Sequence, residues 1–502
     1  MENSLRTTDI LACIASLGKD EVFTPPELAN LMLDSLPKSI WSDKNTKILD
    51  PVSKTGVFLR EAAKKLDEGL KEVIPNEDER REHIFKNMLF GICISELTSL
   101  ISKRTLYYTK DATTNFSVVK FKNKDGNLFY DNNVQHNFEN KSCSNCGASR
   151  EAFERTSDEE NFAYYFIHQP IPFDMKFDVV IGNPPYHIKD GSGKGGEAYK
   201  QIYGLFVEQA MKLKPRYLCM ITPSRWFIGG KGLDSFREKM LSSKNFRELV
   251  HFPKASEVFE SQEITGGVSY FLWDSQYLGE CKITVKENNQ VVSSSVRNLD
   301  SFGKYLIIRD EEVSIINKVK ENSSTFMNEI VSSRNPFGIN NSFVLEDKKL
   351  NSKFIKIYTK ENNFEFVDRN LITRNTEWID KYKVLLGKAY GGRKDFPHPI
   401  INSPIIAEPG SACTESKLVI GVFDSKAEAV ALCEYLTTKF SRMLIFTLKK
   451  TQNITKEVFT YLPVLDFQNT IMTDEKLYKK YNLNKDEIAY IEDTISELNY
   501  EI

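Results

Sequence analysis

Residues 177–182 (Phe-Asp-Val-Val-Ile-Gly) form an apolar run that reads as a buried strand, and the run stops on Asn183-Pro184-Pro185-Tyr186. Two successive prolines lock φ and remove backbone donors, so no sheet ladder continues through them. The chain must leave the strand stiffly, with the Asn183 amide and the Pro184 carbonyl free to face a ligand beside the Tyr186 ring. Both oxygens are acceptors. They suit an exocyclic amino group on a planar heterocycle, because two hydrogen bonds taken from that group favour the tetrahedral, nucleophilic form of its nitrogen. Adenine fits. The same residues also suit a plain turn that ends a buried strand.

Two further segments lie upstream. Residues 47–59 (Lys-Ile-Leu-Asp-Pro-Val-Ser-Lys-Thr-Gly-Val-Phe-Leu) read as strand, loop and helix. In doubly wound sheets such a loop brings helix N-terminal amides and a small residue to a cofactor. Residues 22–28 (Val-Phe-Thr-Pro-Pro-Glu-Leu) precede an amphipathic helix expected from about 27 to 36. Alone, each is ordinary capping or turn chemistry.

In this order, Phe-Thr-Pro-Pro-Glu, Leu-Asp-Pro-x4-Gly-x-Phe-Leu and Ile-Gly-Asn-Pro-Pro-Tyr, the chain resembles the gamma-order DNA adenine-N6 methyltransferases of restriction-modification systems. The TaqI-like members are the most similar. The resemblance covers residues 20–275 by motif and 300–465 more loosely. It implies an S-adenosylmethionine-dependent enzyme with a Rossmann-like α/β domain, followed by a target-recognition domain that holds duplex DNA. Position by position, it assigns Thr24 and Pro25 to the wall around the methionine part of the cofactor. Asp50, Pro51 and Gly56 fall in the cofactor loop, and Asn183, Pro184 and Tyr186 in the adenine-holding site. Residues 217–227 resemble the strand and loop after the catalytic turn. Residues 256–272 resemble the region that supplies a second ring against the flipped base. Phe259 is the candidate for that ring, or else a plain core phenylalanine.

The chain departs from the family twice. Lys54 stands where many members have glycine. Cys93 stands where an acid for the ribose hydroxyls is expected; Glu96 substitutes for it, or is a solvated residue of the next helix's first turn.

The 502 residues have room for two or three domains. No apolar run approaches the roughly 18 residues that span a bilayer, and no charged n-region with an apolar h-region opens the chain. Eight scattered cysteines suit a reducing cytoplasm. A net charge of −2 argues against a generally basic nucleic-acid binder, so positive charge for DNA must be local. Residues 187–197 read as an irregular loop carrying Lys189 and Lys194, either closing on the DNA backbone or merely connecting. Residues 386–394, with Lys388, Arg393 and Lys394, and residues 447–453, with Lys449 and Lys450, mix cations with amides and hydroxyls. Such mixtures suit phosphate and base-edge contacts, though charge runs are also solvated faces.

Residues 110–170 form an insertion that a minimal methyltransferase domain does not need. It contains Cys143-Ser144-Asn145-Cys146-Gly147, a turn suited to presenting two thiolates to one zinc. A structural zinc takes four ligands, and the pair left to complete it is His136 and His168. No βαβ start surrounds the turn, which argues against a redox dithiol.

Past residue 290 the chain becomes rich in Asn and Ser. Residues 417–423 read as a strand and 425–439 as a helix capped by Ser425, with Ala429, Leu432 and Leu436 inward. Residues 484–498 read as a charged amphipathic helix. The expected architecture is a Rossmann-like methyltransferase domain at 1–290 with a zinc-binding insertion. An α+β target-recognition domain at 291–470 and a helical tail at 471–502 follow. The expected function is transfer of methyl from S-adenosylmethionine to N6 of a flipped-out adenine in duplex DNA, which needs no metal for the transfer itself. A separate nuclease or helicase subunit would supply cleavage, since no nuclease motif is evident. The rivals are a specificity subunit with a degenerate site, suggested by Lys54 and Cys93, and a methyltransferase for RNA or protein glutamine.

Overall fold

Three segments, Ile48–Ser53, Leu89–Cys93 and Val179–Gly182, are buried at every position. That is the pattern of parallel strands covered on both faces. In the computed structural model, which describes residues 22–150, 163–189, 199–230, 232–260, 262–341, 354–360, 364–390, 397–449, 452–468 and 472–498, they lie side by side. The chain divides into two compact units, Met1–Leu306 and Ile307–Ile502.

In the first unit β1 (Ile48–Ser53) pairs in parallel with β2 (Leu89–Cys93) and β6 (Val179–Gly182), and Ile48 faces both Leu89 and Val179. Beyond β2 lies the two-residue β3 (Leu128–Phe129), and beyond β6 the parallel β9 (Tyr217–Pro223). An antiparallel β11 (Val268–Asp274) sits between β9 and β10 (Phe246–Phe252). The sheet then continues through β12 (Cys281–Glu287) and β13 (Gln290–Arg297). Its order is β13-β12-β10-β11-β9-β6-β1-β2-β3. The chain winds one way from β1 through β2 to β3 and the other way from β6 to β9. The carboxyl ends of β1 and β6 therefore flank the crevice where such sheets bind ligands. The expected boundary at 290 falls at the start of β13, which still belongs to this sheet, and the first unit continues to residue 306.

Helix α1 (Pro26–Asp34) starts two prolines into the Phe-Thr-Pro-Pro segment, with Pro25 at its N-cap, where a missing N–H costs nothing. Its buried Leu28, Ala29, Met32 and Leu33 join one core with Phe58, Leu59 and Leu66 of α2 (Val57–Gly69) and with the sheet. Helix α3 (Glu96–Tyr107) follows β2, capped by Ser95.

The second unit holds two three-stranded sheets. One runs β15 (Phe364–Asp368), β14 (Phe354–Tyr358), β18 (Ser411–Cys413); the other runs β17 (Ile405–Ala407), β16 (Tyr382–Gly387), β19 (Lys417–Phe423). Sequence and structure coincide at β19 and at the helix Lys426–Thr437, where Ser425 and Glu428 form a capping box and Ala429, Leu432 and Leu436 are buried. The C-terminal helix spans Lys485–Thr494, capped by Asn484. Among the described residues no helix is long and apolar enough to cross a membrane.

Candidate active site

The crevice is built from the ends of β1 and β6 and from the segment before α1. Pro51 has no N–H for the ladder, and the β1–β2 register shifts between Asp50 and Ser53. The Asp50 side chain turns back to accept from Val52 N at 3.2 Å. Burial pushes its carboxyl up from 3.8 to about 7, against the lowering pull of the Val52 N–H, Ser53 and Lys54. Gly56 starts α2 at φ +74°, and a side chain there would press on the Ser102 backbone at 3.2 Å. Gly182, next to the Asn183–Tyr186 turn, lies so near β1 that a Cβ would meet Asp50 Oδ1 at 3.2 Å. Thr24, Asp50, Lys54, Thr55, Gly56 and Asn183 share one narrow cleft. Its free space, about 10 Å³, is that of a single water.

Asn183 is 3 % exposed. Its Nδ2 donates to Val22 O at 3.0 Å and to Thr24 Oγ1 at 3.1 Å. Its Oδ1 is buried with no hydrogen-bond partner among the described residues. Two acceptors on one face fix which way the amide points. Val22 O accepts a second bond, from Lys54 Nζ at 3.0 Å. All three segments thus meet at one carbonyl. Pro184 and Tyr186 follow in the turn, both buried. The Tyr186 ring stands edge-on to Tyr203, 6.5 Å between centroids. Its hydroxyl is buried without a hydrogen-bond partner among the described residues, and burial raises its pKa.

Other expected residues do not line that narrow cleft. Pro25 is the half-buried N-cap of α1. Cys93 is buried at the end of β2, its thiol pushed up to about 12 first by burial and then by Asp50. Glu96 is exposed in the first turn of α3 and lines a cleft of about 530 Å³ with Lys103 and Tyr130. Phe259 is 2 % exposed, packed in the apolar core, and no ring contact joins it to Tyr186 among the described residues. The core reading of that phenylalanine is the one the packing favours.

In the insertion, β4 (Phe138–Glu139) and β5 (Ser142–Cys143) pair around the Cys-x-x-Cys turn. Ligand atoms of His136, Cys143, Cys146 and His168 lie within 4.8 Å of one another. Burial lowers His136 to about 4, with a further push from His168. Its ring is therefore neutral near pH 7, as a metal ligand must be.

Of the candidate DNA-binding cations, Lys194, Arg393, Lys394, Lys450 and the side chain of Lys189 lie outside the described residues. In the second unit, Lys388 Nζ donates to Glu415 O at 3.0 Å, and Lys449 Nζ lies 5.8 Å over the Tyr390 ring. The two patches are neighbours: Tyr390 N donates to Gln452 O and Ile454 N to Lys388 O. Sequence reasoning missed the Val22 carbonyl and the part played by Lys54. A backbone acceptor leaves no mark in side-chain pattern, and Lys54 stood out only as a departure.

The Eco57I restriction-modification methylase family model matches residues 87–259, which include the Asn183 turn. A Mycoplasma pneumoniae protein (strain ATCC 29342 / M129 / Subtype 1) named an uncharacterized adenine-specific methylase is 36% identical over 323 residues, 58% of this chain and 76% of its own. Among solved structures, a type I restriction-modification methyltransferase subunit from Streptococcus thermophilus aligns at 13% identity over 56% of this chain and 52% of its own, with a TM-score of 0.34. The type ISP restriction-modification enzyme LlaGI, solved as a nuclease-deletion mutant with a DNA substrate mimic, aligns at 12% over 89% of this chain and 46% of its own, with a TM-score of 0.48. The chain spans about half the length of these two structures. With three quarters of the mycoplasma protein matched, the chain belongs to the Eco57I-type restriction-modification methylases, as a homologue of an adenine-specific methylase.

Proposed function

We propose that the chain is a site-specific DNA methyltransferase, transferring methyl from S-adenosylmethionine to N6 of an adenine rotated out of duplex DNA. The gamma-order, TaqI-like assignment belongs to this reading. So does a target-recognition role for the second unit, with a nuclease or helicase on another chain. The observation that carries it is the Asn183 amide. Its NH2 group is saturated by Val22 O and Thr24 Oγ1, while its oxygen is buried with no hydrogen-bond partner among the described residues. An orphaned buried acceptor is costly unless a ligand donor meets it.

On this reading Asn183 Oδ1 and Pro184 O accept the two N6 hydrogens, and Tyr186 stacks on the base. Unstacking the base costs a few kcal/mol, which the pocket contacts offset. A second ring from Phe259 would require that side chain to leave the core. The residues around the first loop fit the cofactor chemically. Asp50 offers a carboxyl to a cation, and Gly56 and Gly182 keep the backbone clear of side chains at close approach. S-adenosylmethionine, when bound, supplies an electrophilic methyl on a sulfonium. The cleft must open for it, and Lys54, which lines the cleft and is tied to Val22, is the side chain placed to move. Catalysis is then mainly placement of two reactants. The transfer itself needs no metal.

Sequencing DNA from cells that express the protein, with detection of N6-methyladenine in a fixed context, tests the reading; unmethylated DNA from cells holding folded protein refutes it. The rival, a specificity subunit with a degenerate site, draws on Cys93 standing in place of the acid while Glu96 faces another cleft. It predicts DNA binding without S-adenosylmethionine binding.

A further inference from the structure

Four potential ligands converge in the insertion from three separate places in the chain. Cys143 and Cys146 sit on the β5 turn, His136 just before β4, and His168 at the end of the short helix α4 (Tyr165–His168). His136 Nδ1 is 3.4 Å from Cys146 Sγ, and His168 Nε2 is 3.6 Å from Cys143 Sγ. Ligands on a tetrahedral zinc with Zn–S near 2.3 Å and Zn–N near 2.0 Å stand about 3.3–3.8 Å apart. Those two sulfur–nitrogen pairs already have that spacing, and all four ligand atoms lie within 4.8 Å of one another. His168 Nδ1 is held by Tyr164 O at 2.8 Å, which leaves Nε2 aimed at the sulfurs, the outer contact that orients metal-bound histidines. Gly147, at φ +74°, makes the turn behind Cys146, and Gly147 N donates to Cys143 O.

The turn also touches the strands after the catalytic residues. Any side chain at Gly147 would fall 2.1 Å from Lys200 Nζ. Lys200 lies in β8 (Tyr199–Gln201), which pairs with β7 (His187–Lys189) directly after Tyr186. On the other side, Phe166 of α4 stacks on Phe206 of α5 (Tyr203–Lys212), the helix whose Tyr203 meets the Tyr186 ring.

We propose that His136, Cys143, Cys146 and His168 bind one zinc ion in a closed tetrahedral site, and that this ion pins the insertion onto the β7–β8 hairpin behind the Asn183–Tyr186 turn. Four protein ligands leave no open position, so the ion is structural. The metal assignment stands without the methyl-transfer reading; the consequence for the turn rests on it.

Full-length protein isolated without chelator should carry one zinc per chain by elemental mass spectrometry, and Cys146→Ser should lose it. Wild-type protein that holds no zinc and takes up none on titration overturns the site, as does Cys146→Ser that keeps it. If the variant fails to fold, wild-type protein serves: blocking its thiols with an organomercurial must release the zinc to a chromophoric chelator, and retention overturns the assignment. For the pinning, hydrogen exchange is compared in zinc-loaded and chelator-treated protein. Exchange should rise in 134–150 and also in 187–189 and 199–203, with β1 and β2 unchanged. A rise confined to the insertion, or one that spreads through β1 and β2, overturns the pinning. S-adenosylmethionine binding on the same samples should be unchanged by zinc loss; its absence from loaded wild type would count against the methyl-transfer reading and leave the zinc site standing.

Discussion

Thr24 and Asn183, 159 residues apart in sequence, share a 3.1 Å hydrogen bond in which the threonine hydroxyl oxygen accepts from the asparagine amide. With Val22 O it occupies both amide protons, so the Asn183 oxygen is the end left for a ligand. Asn183→Ala should cut methyl transfer by about 100-fold or more, the scale of removing one positioned hydrogen-bonding group from a reacting centre. S-adenosylmethionine affinity should stay within a few-fold. Thr24→Val keeps the shape and loses one acceptor, so kcat should fall about fivefold, as expected for roughly 1 kcal/mol of hydrogen bonding. Single-turnover kinetics beside calorimetric cofactor binding check both, and a fully active Asn183→Ala would sink the assignment.

Asp50 predicts a pH dependence. Burial disfavours the charged form and pushes its carboxyl up to about 7. A bound sulfonium cation favours the carboxylate, so protons compete with the cofactor. S-adenosylmethionine affinity should be flat above about pH 7 and weaken toward tenfold per unit below it. For folding of the empty protein the sign is opposite. The folded pKa lies above the unfolded 3.8, so this group's contribution is fully present below 3.8 and is lost as pH rises through about 7. Calorimetric titration across that range, with Asp50→Asn as the pH-insensitive control, is the measurement; an affinity independent of pH in wild type would remove Asp50 from the cofactor site.

Lys54 links the two preceding residues. Its ammonium donates to Val22 O at 3.0 Å, the carbonyl that also holds Asn183, and its charge draws the Asp50 pKa down. Lys54→Met should cost about 1.5–3 kcal/mol of stability, the range for hydrogen bonds to charged groups. It should also move the pH midpoint of cofactor binding upward, since Asp50 loses its nearby cation. Denaturant unfolding and the same titrations read the two effects separately.

How much of this was legible beforehand differs residue by residue. Asn183-Pro184-Pro185-Tyr186 announced itself because proline forbids the ladder, a local rule that tertiary context does not override. The Cys143–Cys146 turn and its two histidines were legible because ligand chemistry admits few residue types. Lys54 was not, since its partners are a backbone carbonyl 32 residues away and a carboxyl whose burial only the sheet creates. Phe259 was ambiguous for a general reason: a phenylalanine at a motif position looks the same whether it faces a base or the core. Glu96 sits three residues past Cys93, yet one turn of α3 directs it to a different cleft.

Lys388 and Lys449 looked like parts of two patches and lie in one, joined by backbone bonds between residues 388–390 and 452–454. Both ammonium groups are half-buried, and burial lowers both pKa values. Lys388 is tied to Glu415 O and Lys449 lies over Tyr390. If they contact phosphate, each single alanine variant should lower the slope of log K against log salt by about one, and the double variant by about two, uniformly across sequences. If they only brace this corner of the second unit, the slope stays at its wild-type value while thermal stability drops. Fluorescence-anisotropy titrations of labelled duplex at several salt concentrations, beside melting curves, separate the two outcomes.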